Sequence, residues 1–223
     1  MDYRELPPPP HQEGLIKVRW TLAGTGPAEE WREQQAVPDG CVEIIRRIAG
    51  RSRWDGEQPA RFAVGLIERP EPFSISGDSA FEGIRLWPWA WHLVSAVPLA
   101  AMRGRWLAYD GPDEAAIDAP ALAALGKAIL AASSVAEMGR ATGMSPRTLQ
   151  RWFAHHVGMP PRRYLRLLRF HKAFEGVPGS GTLAGHAAEQ GFADQAHMAR
   201  EFREMAGVPA KTARRSARGP FLT

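Results

Sequence analysis

The stretch Ser145-Pro-Arg-Thr-Leu-Gln-Arg-Trp-Phe153, followed by Gly158-Met-Pro160, decides the fold because a second stretch repeats its pattern. The second stretch begins 49 residues later and reads Asp194-Gln-Ala-His-Met-Ala-Arg-Glu-Phe202, followed by Gly207-Val-Pro209. Each copy opens on a residue that favours helix capping. An apolar residue, an arginine and a phenylalanine follow four, six and eight positions later. Repetition at a fixed spacing indicates a duplicated structural unit, so we predict two helix-turn-helix units in tandem.

The first unit carries start and stop signals for two helices. Ser134 and Glu137 have the spacing of a capping box, in which each side chain bonds the other's backbone N–H. Gly143 can adopt the left-handed conformation that ends a helix, and Ser145 caps the next one. Two faces are predicted on that second helix: a buried one of Leu149, Trp152 and Phe153, and an exposed one of Arg147, Gln150 and Arg151.

A third helix over residues 162–175 is predicted to set the distance between the units, with its basic side chains in solvent. The second unit opens with Thr182 as helix cap, turns at Gly191 and continues from Asp194 as cap of its second helix. Met198 and Phe202 are predicted to face the core of this unit.

Composition narrows the class of protein. The 223 residues contain no run of about 18 apolar residues that could span a membrane. The proline-rich start lacks the apolar segment of a secretory signal, so we expect a cytoplasmic location and no membrane contact. A single cysteine, Cys41, excludes an internal disulfide and a thiolate cluster.

Charge is distributed unevenly along the chain. Residues 127–223 hold 15 Lys and Arg against six Asp and Glu, whereas residues 1–126 hold 13 against 18. A basic C-terminal part is expected where a protein meets a polyanion, although a solvated basic surface would give the same count. The tandem repeat favours the first interpretation.

The N-terminal part has a different pattern. Short β-branched and aromatic runs separated by Gly and Pro predict a small β-barrel. The fold class is therefore α+β: a β-rich sensor or dimerisation domain, a linker with a short helix, a tandem helix-turn-helix domain with a long joining helix, and a basic tail. Their expected bounds are 1–110, 111–132, 133–215 and 216–223.

Three tryptophans in the run from Leu86 to His92 are the weak candidates for a ligand pocket: Trp87, Trp89 and Trp91. The core of a small β domain or a face covering a partner would use the same residues, and we prefer those interpretations. Only His11 and His92 lie in the N-terminal part, so no metal site and no cofactor are expected. The four histidines at positions 155, 156, 171 and 186 are expected to be structural.

These residues resemble a known family. Residues 133–215 are similar to the AraC/XylS-type DNA-binding domain through Gly191-Phe-x-Asp194-Gln195-x-His197-x-x-Arg200-x-Phe202 and through Ser145-x-x-x-Leu149-Gln150-Arg151-x-Phe153. The run from Val37 to Cys41 and the run from Gly83 to Pro88 resemble, less specifically, the cupin-like sensor domain found ahead of this module.

The resemblance implies a sequence-specific transcription regulator, an activator or repressor, that reads two successive major grooves and responds to a small molecule. It implies no catalytic residue. Double-stranded DNA is the expected partner; RNA polymerase, a small-molecule effector and a second copy in a homodimer are further candidates. The implied DNA-contacting residues are Ser145, Arg147, Thr148, Gln150, Arg151, Gln195, Ala196, His197 and Arg200.

The second unit departs from the family pattern. Gly185 and His186 replace a polar and a large apolar residue, and Ala210 and Ala213 stand where proline and an aromatic residue are expected. The hinge before this unit is rich in glycine. We therefore expect the first unit to dominate sequence reading.

Two other functions fit part of the sequence. In one, the chain is a metabolite-binding or alkyl-transfer protein whose C-terminal helices serve for association. The alkyl-transfer alternative would use Cys41 as nucleophile. No basic residue adjoins Cys41 to activate it, so a buried core thiol is the preferred interpretation. In the other, the N-terminal domain only dimerises the chain and binds no ligand.

Overall fold

The computed structural model describes residues 1–179, 181–218 and 221–222. Its strands are β1 (Asp2–Leu6), β2 (Ile16–Ala23), β3 (Trp31–Ala36), β4 (Val42–Ala49), β5 (Ser52–Arg53), β6 (Arg61–Val64), β7 (Glu71–Ser76), β8 (Ala80–Leu86), β9 (Trp106–Ala108), β10 (Ala217–Arg218) and β11 (Phe221–Leu222).

The strands form two antiparallel sheets. Within the described ranges, one sheet has the order β1-β2-β8-β4-β6-β9 and the other has the order β10-β11-β3-β7-β5. Apolar side chains from both sheets meet in one cluster, in which Trp20, Ile45 and Phe62 of the first sheet pack near Ile75 of the second. The predicted β-rich N-terminal domain is confirmed as two facing sheets.

The helices follow almost entirely after the sheets. They are α1 (Leu99–Met102), α2 (Pro120–Ala131), α3 (Val135–Thr142), α4 (Pro146–His156), α5 (Pro161–Gly176), α6 (Leu183–Glu189), α7 (Gln195–Met205) and α8 (Ala210–Ser216). Short 3-10 helices lie in several of the connections, and Pro88–Leu93 is the one that matters most for the site. The α+β class and the two helix-turn-helix units on either side of α5 are confirmed.

The first helix-turn-helix unit and the β-rich domain share one hydrophobic core. Leu149, Phe153 and Tyr164 belong to the same buried cluster as Trp89 and Val42. The second unit has a separate core around Phe170, Phe174 and Phe202, which a single residue of the N-terminal domain, Val37, joins. The two units are therefore attached to the N-terminal domain to different extents.

Several elements differ from the sequence-based expectation. β1 lies in the proline-rich start, and β9 follows the first helical turns rather than preceding them. Both are edge strands, held by backbone pairing to β2 and β6, and their short sequences carry little apolar alternation. The expected basic tail is also partly ordered, because β11 pairs with β3 through Phe221↔Ala36 and Leu222↔Gln35.

Within the described residues, no helix is both long and apolar enough to cross a membrane.

Candidate nucleic-acid interface

Helix α4 begins with the predicted cap. The backbone N–H of Thr148 donates to Ser145 Oγ at 3.2 Å, and Pro146 occupies the first turn, where its missing N–H costs nothing. Leu149 and Phe153 are buried against the core. The side chains left exposed on this helix include Ser145, Arg147, Thr148, Gln150 and Arg151.

Helix α7 repeats this arrangement. The N–H of His197 donates to Asp194 Oδ1 at 2.6 Å, and Met198 and Phe202 are fully buried. Gln195, Ala196 and Arg200 are exposed. The structure thus brings the predicted side chains together as one exposed face on each of two capped helices.

His197 is the exception among these candidates. Its Nδ1 accepts a hydrogen bond from the N–H of Ala193 at 3.4 Å, and its Nε2 lies 3.5 Å from Glu201. The ring also packs edge-on against Phe192, with centroids 5.4 Å apart. Both ring nitrogens of His197 are thus engaged by local contacts, which leaves less hydrogen-bonding capacity for a DNA base.

The exposed arginines of the two faces carry unpaired charge. Among the described residues, Arg147, Arg151 and Arg200 make no ion pair, whereas Arg166 and Arg163 of α5 do. A guanidinium group that is exposed and unpaired keeps its full donor set for a phosphate or a guanine edge. Their placement therefore suits contact with a polyanion.

The basic residues of α5 are not simply solvated, contrary to the expectation for that helix. Arg166 Nε lies 2.8 Å from Glu201 Oε1 and Nη1 lies 2.9 Å from Glu204 Oε1. Arg169 Nη1 donates to the carbonyl of Gly191 at 3.3 Å. These bonds fix α7 and the turn before it on α5, and sequence periodicity had no means of pairing these groups across 35 residues.

The three tryptophans proposed as ligand candidates lie at the junction with the first unit. Trp89 and Trp91 are fully buried, and Trp89 contacts Trp152 and Tyr164 at centroid distances of 6.1 Å. Trp87 stacks on Trp89 at 6.0 Å. This placement supports the preferred interpretation, in which the three tryptophans belong to the core. None of them lines the cavity between the two sheets.

A cavity of about 90 Å³ lies between the two sheets. Its walls are mostly apolar, with Trp20, Phe62 and Ile75 among them, and Asp39 and Glu43 add two carboxylates. Both carboxylates contact the buried guanidinium of Arg85, with Asp39 Oδ2 at 3.2 Å. Burial raises the pKa of Glu43, and the charge of Arg85 partly offsets that effect.

Cys41 also lines this cavity and is buried. Burial raises the pKa of its thiol well above the usual range, and the carboxylate of Asp39 acts in the same direction. A neutral buried thiol is a poor nucleophile. The structure therefore disfavours the alkyl-transfer alternative.

Three histidines meet at the junction, which no spacing in the sequence indicated. His92 comes from the 3-10 turn, and His155 and His156 are the last residues of α4. Burial lowers the pKa of His92. Burial and then the neighbouring imidazoles lower the pKa of His156 to about 4. His156 is therefore uncharged near neutral pH.

Two family models match parts of the chain. Residues 138–216 match the family described as "Helix-turn-helix domain", and residues 4–107 match "Domain of unknown function (DUF6597)". No curated protein matches the chain.

Similar solved structures include three of ToxT from Vibrio cholerae. One is 10% identical, covers 96% of this chain and 98% of that chain, and has a TM-score of 0.46. ToxT bound to (E)-4-(8-methylnaphthalen-1-yl)but-3-enoic acid is 8% identical with coverages of 86% and 96% and a TM-score of 0.47. Unsaturated fatty acid bound ToxT is 11% identical with coverages of 86% and 91% and a TM-score of 0.43.

The two capped helices, their exposed basic faces and the family match over residues 138–216 define a DNA-binding transcription regulator. Its helix-turn-helix units are of the type that the sequence resemblance indicated. Residues 138–216 of the chain carry a helix-turn-helix domain of the AraC type.

Proposed function

We propose that α4 and α7 enter two successive major grooves on one face of a DNA duplex. The observation that carries this proposal is the set of exposed, unpaired arginines on two helices that both pack on α5. At 16 residues, α5 is about 24 Å long, so it spans about two thirds of the advance of one helical turn of DNA, about 34 Å. The long helix thus acts as the spacer between two reading elements.

Each candidate side chain has a role that its chemistry supports. Arg147 and Arg151 suit guanine, Gln150 and Gln195 suit adenine, and the methyl groups of Thr148 and Ala196 suit thymine. Ser145 closes the N-terminal turn of α4, whose free backbone N–H groups suit a phosphate. Arg200 supplies a cationic group in the second unit.

We propose that the first unit contributes more of the sequence preference. Its second helix exposes Arg147 and Arg151, whereas α7 exposes Arg200 and Arg203 but holds His197 in local contacts. Asp194 at the start of α7 also repels phosphate, whereas Ser145 is neutral. The asymmetry therefore follows from charge as well as from the number of donors.

The cavity between the two sheets supports a sensor role for the N-terminal domain. Its apolar walls suit a small, largely apolar molecule, and Asp39 and Glu43 suit hydrogen-bond donors on that molecule. Asp39 lies in the turn of residues 38–40, which contacts α5 through Tyr164, and Glu43 lies in β4, the strand that follows. The effect of a molecule bound in the cavity would be transmitted to the DNA-binding part through that turn. A regulator that binds chromosomal DNA would act in the cytoplasm.

In-vitro selection of bound DNA with the full chain, followed by footprinting, tests this function. We expect two protected segments about one helical turn apart, with binding that weakens steeply as salt rises. Arg151→Ala should weaken binding by about 1–3 kcal/mol and relax the preference at one base pair, whereas Arg200→Ala should cost less.

Arg4→Ala is the matched control, because it removes one exposed arginine from the N-terminal domain. Equal binding by the wild type, Arg151→Ala and Arg4→Ala, with circular dichroism unchanged, would reject the assignment of α4. Titration with panels of small apolar metabolites, read by thermal shift, tests the sensor role separately.

A further inference from the structure

Three imidazoles from two parts of the fold converge outside the DNA-reading faces. The candidate donor nitrogens of His92, His155 and His156 all lie within 4.8 Å of one another. His92 and His155 are 63 residues apart in the chain, so the fold creates this group rather than local sequence. Three nitrogen donors are a ligand set that Zn²⁺ and its neighbours in the transition series accept.

The hydrogen bonding of His92 leaves one nitrogen available for a metal. Its Nε2 lies 3.1 Å from the carbonyl oxygen of His155. Because a carbonyl can only accept, Nε2 carries the proton and Nδ1 keeps its lone pair. A backbone carbonyl bound to the second nitrogen is the usual support of a metal-binding histidine.

His156, a member of the same group, offers an unsatisfied ring nitrogen. Its Nδ1 is buried and has no hydrogen-bond partner within the described part of the chain. A buried polar atom without a partner is unfavourable unless something else satisfies it. A metal ion held beside it would supply that partner.

Ring packing accounts for only part of the arrangement. His92 and His155 stack nearly parallel with centroids 5.1 Å apart, and His156 packs on Trp152 at 4.6 Å. Any flat ring could pack in this way, so the packing alone does not require three nitrogens to lie in one group. Ring packing therefore leaves the convergence of three donor nitrogens unexplained.

A small movement would complete the site. Two ligands on a tetrahedral zinc ion, at 2.0–2.1 Å from it, lie about 3.4 Å apart. The donor nitrogens now lie up to 4.8 Å apart, so zinc binding requires these distances to shorten by about 1.4 Å at most. His155 is exposed, so its ring can rotate without disturbing the core.

We propose that His92, His155 and His156 bind one divalent transition-metal ion, with Zn²⁺ the best match to three imidazoles and one open position for water. The bound ion ties the N-terminal domain to the end of α4. His155 lies one helical turn beyond Arg151, so the tie holds the helix that reads DNA in the first unit.

The test is a titration of the untagged, metal-stripped full chain with Zn²⁺, followed by calorimetry in competition with a chelator. We expect one equivalent bound by the wild type and by His11→Ala, whose exposed histidine lies in another turn. His92→Ala and His155→Ala should each lower the affinity at least tenfold. A Co²⁺ titration should give visible absorption that the two variants lose.

A second measurement separates binding from folding. Zn²⁺ should raise the Tm of the wild type and of His11→Ala and leave that of His155→Ala unchanged. Because His155 is exposed, that variant is expected to keep the circular dichroism spectrum of the wild type. Absence of saturable binding in the wild type, or equal affinity in the wild type and in His155→Ala, would overturn the proposal.

Discussion

The hydroxyl group of Tyr164 donates a hydrogen bond to the carbonyl oxygen of Gly40 at 3.1 Å, across 124 residues of sequence. Tyr164 is fully buried in α5, and Gly40 has a φ of 77°, in the left-handed region that favours glycine. A side chain at Gly40 would also meet the leucines of α5, with Leu167 Cδ2 at 3.0 Å. The bond therefore joins the helix between the DNA-reading units to a turn of the N-terminal domain at close range.

Tyr164→Phe should lower the free energy of unfolding by about 1–3 kcal/mol, because the buried carbonyl of Gly40 loses its donor while the ring packing remains. Urea denaturation followed by tryptophan fluorescence measures this change. We also expect the two parts of the chain to unfold less cooperatively.

Tyr109→Phe is the matched control for that experiment. Tyr109 donates to the carbonyl of Pro112 at 2.8 Å, so its hydrogen bond stays within the N-terminal part. It should lower stability without separating the two unfolding transitions. An equal loss of cooperativity in both variants would contradict the role assigned to Tyr164.

Glu201→Gln should loosen α7, because the buried carboxylate that Arg166 binds becomes neutral. We expect a loss of about 1–2 kcal/mol in stability. We also expect weaker protection of the second half-site in a footprint, with the first half-site retained. Glu204→Gln is the paired control, since Glu204 binds the same arginine from an exposed position and should cost less. A larger effect at Glu204 than at Glu201 would be inconsistent with this account.

Acid should weaken the contact between β2 and α5. Burial alone would raise the pKa of Glu175, but hydrogen bonding and charge from His171 and then Lys17 outweigh it and lower the pKa to about 2. Lys17 Nζ lies 3.2 Å from Glu175 Oε1 and 2.6 Å from His171 Nε2. A carboxylate with a lowered folded-state pKa stabilises the fold above its unfolded value and loses that contribution as pH falls.

The stability difference between the wild type and Glu175→Gln should therefore be largest above about pH 5 and disappear towards pH 2. Urea midpoints measured across this range give the difference directly, since the other carboxylates titrate in both proteins. A difference that stays constant from pH 6 to pH 2 would show that Glu175 is not ionised in this contact.

Cys41 should resist thiol-specific reagents in the folded protein. Its thiol is buried and its raised pKa keeps it protonated at pH 8. Reaction with a chromogenic disulfide should be slow in buffer and release one equivalent at once in denaturant. Rapid reaction in the native state would revive the nucleophile hypothesis.

Local signals in the sequence predicted the helical part well. The caps at Ser134, Ser145, Thr182 and Asp194 are all present, because a short polar side chain meets the free N–H groups of its own helix. One detail differs: Glu137 accepts from the N–H of Ser133 at 2.9 Å rather than from that of Ser134. Of the two hydrogen bonds of the capping box, the one from Glu137 N–H to Ser134 is as predicted, and the one to the Glu137 carboxylate comes from the preceding residue.

Long-range pairings had no such signal. The contacts of Arg166 with Glu201, of Tyr164 with Gly40, and of His92 with α4 depend on how separate elements dock. Periodicity reports which face of a helix is apolar, and it does not report which partner covers that face. The assignment of individual DNA-contacting residues rests on the family resemblance and stays a prediction.

The pairing of β11 with β3 makes the DNA-binding part a segment anchored at both of its ends. The shared core around Trp89 holds it at the first unit, and backbone hydrogen bonds to the second sheet hold it after α8. A segment clamped in this way cannot swing on a single hinge. We therefore expect a signal from the N-terminal domain to act by changing the separation or twist of the two units, which would alter the spacing between half-sites that the protein accepts.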